Sequence, residues 1–457
     1  MIGENRIKAE RERPVNANNK ICYRILICLT SYNNIFFGLR SYRFPCCFHY
    51  SDAMKLLMIC ATFPYPPSRG GTQVRTFNLL KQLSYHHEIT LVTQKAEDVT
   101  NEEVGALKHW VKTLMLFPRP AHPTTGLLQK INRFSQFVIT GTPPNVSFLY
   151  DQSIQNWLDE AVENNYFDVI TCEHSVNEIY IRPHWKNKIK TILNSHSSVY
   201  RTCKHQLETK TSEDPQRDRL YLPLLKRYEK RVYQKFSHIV VTTEEDYQQL
   251  KEFNINSQVS VLPNGVDLDI FPYRNSDPGG HHLIITGGMD YVTNIDAACF
   301  FSREIFPLLR QQYPDVTLTI VGANPAPSVV RLGEEPGIRV TGKVPSMAEY
   351  LHKATVCVIP LRSGFGIKNK TLEAMATGVP IVASDRSLEG MEVDGKNTPL
   401  KALRANKIEE YVQGITDLFE DEKLRQTLSK NGREYIENNF TWERLGREYE
   451  KIMDLID

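Results

Sequence analysis

No two of the nine cysteines form a C-x-x-C pair, so zinc and dithiol chemistry lack their usual spacing. Cys60, Cys172 and Cys357 sit in apolar runs and read as small buried hydrophobes, which suits a reducing compartment. No stretch sustains the roughly 18 to 20 apolar residues that a membrane span requires. Neither G-x-x-x-x-G-K-S/T nor a G-x-G-x-x-G after the first strand occurs, which sets aside Walker-type NTPases and nicotinamide dehydrogenases. No repeat of solenoid period is found. Charge of one sign is not in excess: 55 Lys and Arg stand against 53 Asp and Glu, a net charge of +2. That balance excludes a general nucleic-acid binder.

At 457 residues the chain exceeds what one core usually supports, so two domains are expected. Residues 1–53 differ from the remainder. Their first part is polar, and "ICYRILICLTSYNNIFFGLRSYRFPCCFHY" is apolar but broken by Arg24, Asn33, Asn34 and Arg40. With no small-residue cleavage site following, this segment reads as a disordered or artefactual extension. "MKLLMICATFPYPP", from Met54, reads as the opening of a folded domain.

From there short branched runs alternate with helical periodicity. "KLLMIC", "ITLVTQ", "FDVITC", "KTILN", "HIVVT" and "VSVLP" predict buried parallel strands. The alternation restarts with "HLIIT", "VTLTIV", "IRVT", "TVCVIP" and "VPIVAS". Between the two sets lies "PYRNSDPGGHH", a linker by its Pro, Gly, Asn and Ser content. The expectation is an α/β protein of two doubly wound, Rossmann-like domains, 54–270 and 283–440, facing each other across a cleft. Residues 441–457 predict a terminal helix: Trp442, Leu445, Tyr449, Ile452 and Ile456 form one apolar stripe, expected to return to the first domain.

Three glycine-bearing turns follow strands: "PPSRGGTQV" with Gly70 and Gly71, "ITGGMDYVTN" with Gly287 and Gly288, and "SGFGIKNKTLEAMATGVP". Open parallel sheets bind ligands beyond the carboxyl ends of their strands, where helix amides point outward. The third turn places Lys368, Asn369 and Lys370 at a helix start, where the macrodipole disfavours cations. A bound anion resolves that conflict. Arg362, Lys368 and Lys370 with the glycines suggest a diphosphate held between cations and amides. Glu373 falls in the first turn of the same helix, favoured there by the dipole and able to accept hydrogen bonds from a ribose.

On these residues the chain resembles the retaining glycosyltransferases of family 4, which have the GT-B fold. "VSVLPNGVDLDIF", "LTIVGANP" and the run from "VTGKVPSMAEYLHKATVCVIPLRSGFGIKNKTLEAMATGVPIVASDRSLEGMEVDG" carry the likeness, with "TWERLGREYEKIM" at the end. The "GIKNK" loop recurs in a subgroup of that family. The resemblance implies that Glu373 binds the ribose of the donor nucleotide. It implies that Gly364, Gly366, Ile367 and Lys368 surround the diphosphate and donor sugar, with Asn369 beside them. Val344 matches a backbone contact to the base, and Gly70 and Gly71 match a loop closing over the phosphates. The catalytic-face histidine of the family aligns with either Glu173 or His174 in "FDVITCEHS"; His174 is favoured, with Glu173 raising its pKa. His196 could line the same cleft, and a structural histidine is the plain alternative for each.

Two departures from the family pattern stand out. Phe365 replaces a glutamate eight positions before Glu373, and "GGMDYVTNIDA" lacks the usual Arg and Lys, leaving Gly288 and Asn294. Lys368 and Arg362 are then the candidates to neutralise the leaving phosphate. The expected reaction is transfer of a sugar from a nucleotide diphosphate sugar to a saccharide or lipid-linked acceptor, with retention, as in polysaccharide or glycoconjugate biosynthesis. No metal or further cofactor is expected, since no D-x-D lies in a suitable loop. The expected location is the cytoplasm, peripheral on the inner face of a membrane. The basic run Arg217, Arg219, Lys226, Arg227, Lys230, Arg231 and Lys235 is either a solvated helix face or a surface for anionic headgroups. An epimerase or sugar phosphorylase on the same fold, or a non-catalytic binding partner, are the alternatives.

Overall fold

A computed structural model describes residues 53–120 and 127–454. The extension expected at the N-terminus, Ala53 excepted, and Ile456 of the terminal stripe lie outside the described residues.

The first sheet uses β1 (Lys55–Cys60), β2 (Glu88–Lys95), β3 (Thr113–Pro118), β4 (Val169–Glu173), β5 (Lys190–Asn194), β6 (His238–Val241) and β7 (Gln258–Val261). All pairs are parallel, in the order β3-β2-β1-β4-β5-β6-β7. The continuous apolar run of β1 is what a strand covered on both faces needs. Leu56, Met58 and Cys60 pack on one face and Leu57 and Ile59 on the other.

The second sheet uses β8 (His282–Thr286), β9 (Thr317–Val321), β10 (Ile338–Val340), β11 (Val356–Ile359), β12 (Ile381–Ala383) and β13 (Leu403–Arg404). Its order is β10-β9-β8-β11-β12-β13, again parallel. The expected two doubly wound sheets are therefore present, and each has a strand that the sequence did not announce. β3 is a half-buried edge strand and β13 has only two residues.

The chain passes between the sheets twice, side by side. After β7 the amide of Val266 donates to Phe440 O at 2.8 Å, and Val266 bridges Thr441 in parallel. A Cβ on Gly265 would lie 2.7 Å from the Trp442 ring, so the crossing needs glycine there. The helix Trp442–Asp454 then packs Trp442, Leu445, Tyr449, Ile452 and Met453 into the core that holds Leu56, Phe77 and Leu80. Gly446 lets this helix approach the helix Gly71–Leu83 closely: a Cβ would fall 2.6 Å from Gln82 Cβ.

Candidate functional site

Beyond β11 the chain enters the loop that leads to the helix Asn369–Thr377. Gly364 and Gly366 have φ of +100° and +80°, the left-handed region that glycine alone enters without strain. The space at Gly366 is closed as well, because a Cβ would lie 3.0 Å from Thr242 Oγ1 and 3.1 Å from His196 O of the first domain. Ile367 anchors the loop, buried in the second domain's core. Lys368 occupies the cap position in extended backbone, and no side chain caps the helix. The first helical bond runs from Thr371 N to Lys368 O at 3.0 Å, leaving the amides of Asn369 and Lys370 ahead of it. Gly378, with φ of +77°, ends the helix in the left-handed cap expected before Pro380.

A second uncapped helix start faces this one. The helix Gly71–Leu83 follows Gly70 with no side-chain cap. A Cβ on Gly71 would lie 3.8 Å from Asn369 Nδ2. Asn369 Oδ1 accepts from Asn264 Nδ2 at 2.8 Å, and Asn264 Oδ1 accepts from Arg75 Nη1 at 2.9 Å. Gly70 itself is extended, at φ 172°, so its backbone makes no special demand for glycine.

Lys370 turns toward the "ITGG" loop, where its Nζ donates to Asn294 Oδ1 at 2.5 Å. Asn294 Nδ2 in turn donates to Gly288 O at 2.8 Å. Gly287 has φ of +142°, and a Cβ there would lie 2.7 Å from the Lys370 ammonium. Burial lowers both Lys368 and Lys370 to about 8, against the pull of Glu389 on the first and Glu373 on the second. Glu373 is half-buried, accepts no hydrogen bond from any described residue, and is raised by burial to about 7. It lies one residue beyond the first turn, since the helix begins at Asn369; the expected dipole stabilisation is outweighed by desolvation.

Three further expectations change. His174 does not gain basicity from Glu173: burial lowers it to about 4. Side chains alternate along a strand, and the Glu173 carboxylate points away, accepting from Asn194 Nδ2 at 2.9 Å. Asn194 also donates to Tyr449 Oη at 2.8 Å, so Glu173 belongs to a buried network with the terminal helix. Arg362 is held by the Asp296 carboxylate, with Nε at 2.9 Å, and stacks over Phe300, which commits it away from Lys368.

His174 sits at φ +76°, unusual for a residue with a side chain. Its ring meets that of His196 edge-on at 5.1 Å, and burial also lowers His196. Both imidazoles are therefore neutral near pH 7. Val344 packs half-buried on the second core, and its backbone amide and carbonyl make no hydrogen bond with a described residue.

Sequence reasoning missed Arg75, Asn264 and a charged group around Phe365. Arg201 stacks on the Phe365 ring at 4.0 Å, Arg386 at 4.9 Å, and the His205 ring lies 5.1 Å away. Asn264 carried a usable signal, standing in "PNG" directly after a strand.

Residues 69–270 match the family model described as Glycosyltransferase Family 4, and residues 280–421 match that of Glycosyl transferases group 1. Two uncharacterized glycosyltransferases of Methanocaldococcus jannaschii are similar. One is 35% identical over 121 residues, 26% of this chain and 30% of the relative. The other is 32% identical over 114 residues, 24% and 31% respectively. The chain thus aligns with about a third of the length of these relatives. Sucrose-phosphate synthase from Thermosynechococcus elongatus shares the fold, with a TM-score of 0.62 at 18% identity over 87% of this chain and 98% of that one. Anabaena HepE in complex with UDP and glucose gives 0.57 at 14%, over 88% and 100%. TarM, from S. aureus, gives 0.63 at 12%, over 89% and 99%. The chain is built on the GT-B architecture and carries a Glycosyltransferase Family 4 domain followed by a Glycosyl transferases group 1 domain.

Proposed function

We propose that the protein transfers a hexosyl unit from a nucleoside diphosphate sugar to an acceptor hydroxyl, with retention of configuration. One observation carries this reading: uncapped helix starts from the two halves face each other, with Lys368 and Lys370 beside them and the unpartnered Glu373 one turn on. Amide groups and cations suit a diphosphate, and a carboxylate at that distance suits a ribose. The two lysines and the amides neutralise the leaving phosphate, with no further cofactor called on. His174 and His196, neutral and edge-on, line the acceptor side. HepE and TarM were each solved with UDP, which supports a uridine nucleotide as the first donor to try.

The acceptor is a saccharide, lipid-linked and met at an anionic membrane face from the cytoplasm. On the helix Pro215–Tyr233, Asp218 and Glu229 are buried, while Arg219, Lys226, Arg227 and Lys230 are exposed. The helix Leu127–Thr140 adjoins it through stacking of Phe134 on Tyr221, has no acidic residue, and exposes Ile139 at 82%. Cations beside exposed aliphatics suit anionic headgroups. Among the described residues no helix is long and apolar enough to cross a membrane.

Incubation with a panel of nucleotide sugars and lipid-linked saccharides, followed by mass spectrometry, tests the reaction; product with no acceptor mass gain would overturn transfer. In calorimetry, Glu373→Ala is expected to weaken nucleotide binding by about 1.5–3 kcal/mol, the worth of hydrogen bonds to a charged group. Unchanged affinity in a folded variant would move the site elsewhere.

A further inference from the structure

The group around Phe365 holds a carboxylate that the reaction above leaves unused. Glu389 is 4% exposed, and neither of its oxygens has a hydrogen-bond partner. Three cations surround it just beyond hydrogen-bond distance: Arg386 Nη1 at 3.5 Å, Arg201 Nη2 at 3.6 Å and Lys368 Nζ at 3.7 Å. Arg201 comes from the first domain, where it also pairs with Asp246 at 3.0 Å; the other two come from the second. Next in the chain, Gly390 has φ of +76° and meets Thr243 so closely that a Cβ would lie 2.9 Å from its methyl carbon. The two halves therefore meet at this carboxylate. The two arginines that reach for Glu389 are those that stack on Phe365. Burying this carboxylate strips its hydration, and attraction to the three cations, none of them hydrogen-bonded to it, is what offsets that cost.

We propose that Glu389 is a positioning residue of the donor site: in place of the acid missing at Phe365, it holds Lys368, Arg386 and, across the cleft, Arg201 for a bound diphosphate. This rests on the donor-site reading above. The charges balance in its favour. Without a bound anion Arg201, Arg386 and Lys368 crowd one another, and the carboxylates of Glu389 and Asp246 offset two of the three. When the diphosphate arrives, the ammonium of Lys368 can turn to it without any proton moving. The charged and titratable groups facing Lys368 are Glu389, Asp246, Arg386, Arg201, His205 and Lys370. Of these only Glu389 and Asp246 favour its ammonium form.

The test is calorimetric titration of the full chain with UDP, GDP and dTDP from pH 6 to 9.5. Binding should fall on the alkaline side as Lys368 and Lys370 lose their protons. Glu389→Gln keeps the shape and removes the charge, so the alkaline midpoint should fall by about one pH unit, the effect of losing an opposite charge at this range. Glu389→Asp, which sets the charge farther from Lys368, should move it less, and serves alone if the glutamine variant does not fold. The pair Arg201→Ala and Glu389→Gln should be non-additive in affinity. An unmoved midpoint with additive effects would overturn the role while leaving the donor site standing. No binding of any nucleotide by the unaltered chain would instead remove the site, and this role with it.

Discussion

At the residue scale the chemistry is decided by burial. Glu373 raised to about 7 and the lysines lowered to about 8 lie unusually close together. Nucleotide binding is strongest when the Glu373 carboxylate is ionised and both lysines are protonated. The ammonium form is the one that grips phosphate, so binding should rise through about pH 7 and fall through about pH 8. A titration should therefore give a narrow bell, and Glu373→Gln should flatten its acid limb and, by removing the charge that favours the Lys370 ammonium, draw the alkaline limb to lower pH. The glycines and lysines of this turn were readable from the sequence because steric and dipole rules act locally, whereas the burial that raises Glu373 was not. The partner of each charge was not. Arg362 finds Asp296 and Glu173 finds Asn194 through contacts across the fold, which no local rule reports.

At the scale of elements, continuous apolar runs were sufficient to locate the buried strands, since two covered faces demand them. β3 escaped because its burial is only partial, and β13 because two residues carry no periodicity. The stripe of Trp442, Leu445, Tyr449 and Ile452 was readable as a face in search of a core, and its contacts lie with Leu56, Phe77 and Leu80. Its stability contribution follows from packing. Trp442→Ala should cost about 3–5 kcal/mol, the range for truncating a large buried aromatic. Tyr449→Phe, which deletes only the acceptor of the Asn194 bond, should cost about 1 kcal/mol. Urea denaturation of both variants measures the difference, and a negligible loss for Trp442→Ala would show that the helix is peripheral.

At the scale of the whole molecule the near-zero net charge hides an uneven surface. The helix Pro215–Tyr233 turns its two acids inward and its cations outward. Co-sedimentation with vesicles containing phosphatidylglycerol should retain the protein at low salt and release it as salt rises, since screening shortens the reach of surface charge. Vesicles of phosphatidylcholine alone should not retain it, and Lys226→Glu with Lys230→Glu should weaken retention several-fold. Equal binding to both vesicle types would refute the electrostatic contact.

The docking of the last helix on the first domain also bears on biosynthesis. His86 Nδ1 and Glu450 Oε1 meet at 2.6 Å although 364 positions separate them in the sequence. A nascent chain leaving the ribosome exposes one side of this domain until the covering helix, several hundred residues further along, has emerged. Premature termination anywhere before Trp442 would leave that greasy surface bare, and chaperones or proteases would meet it first.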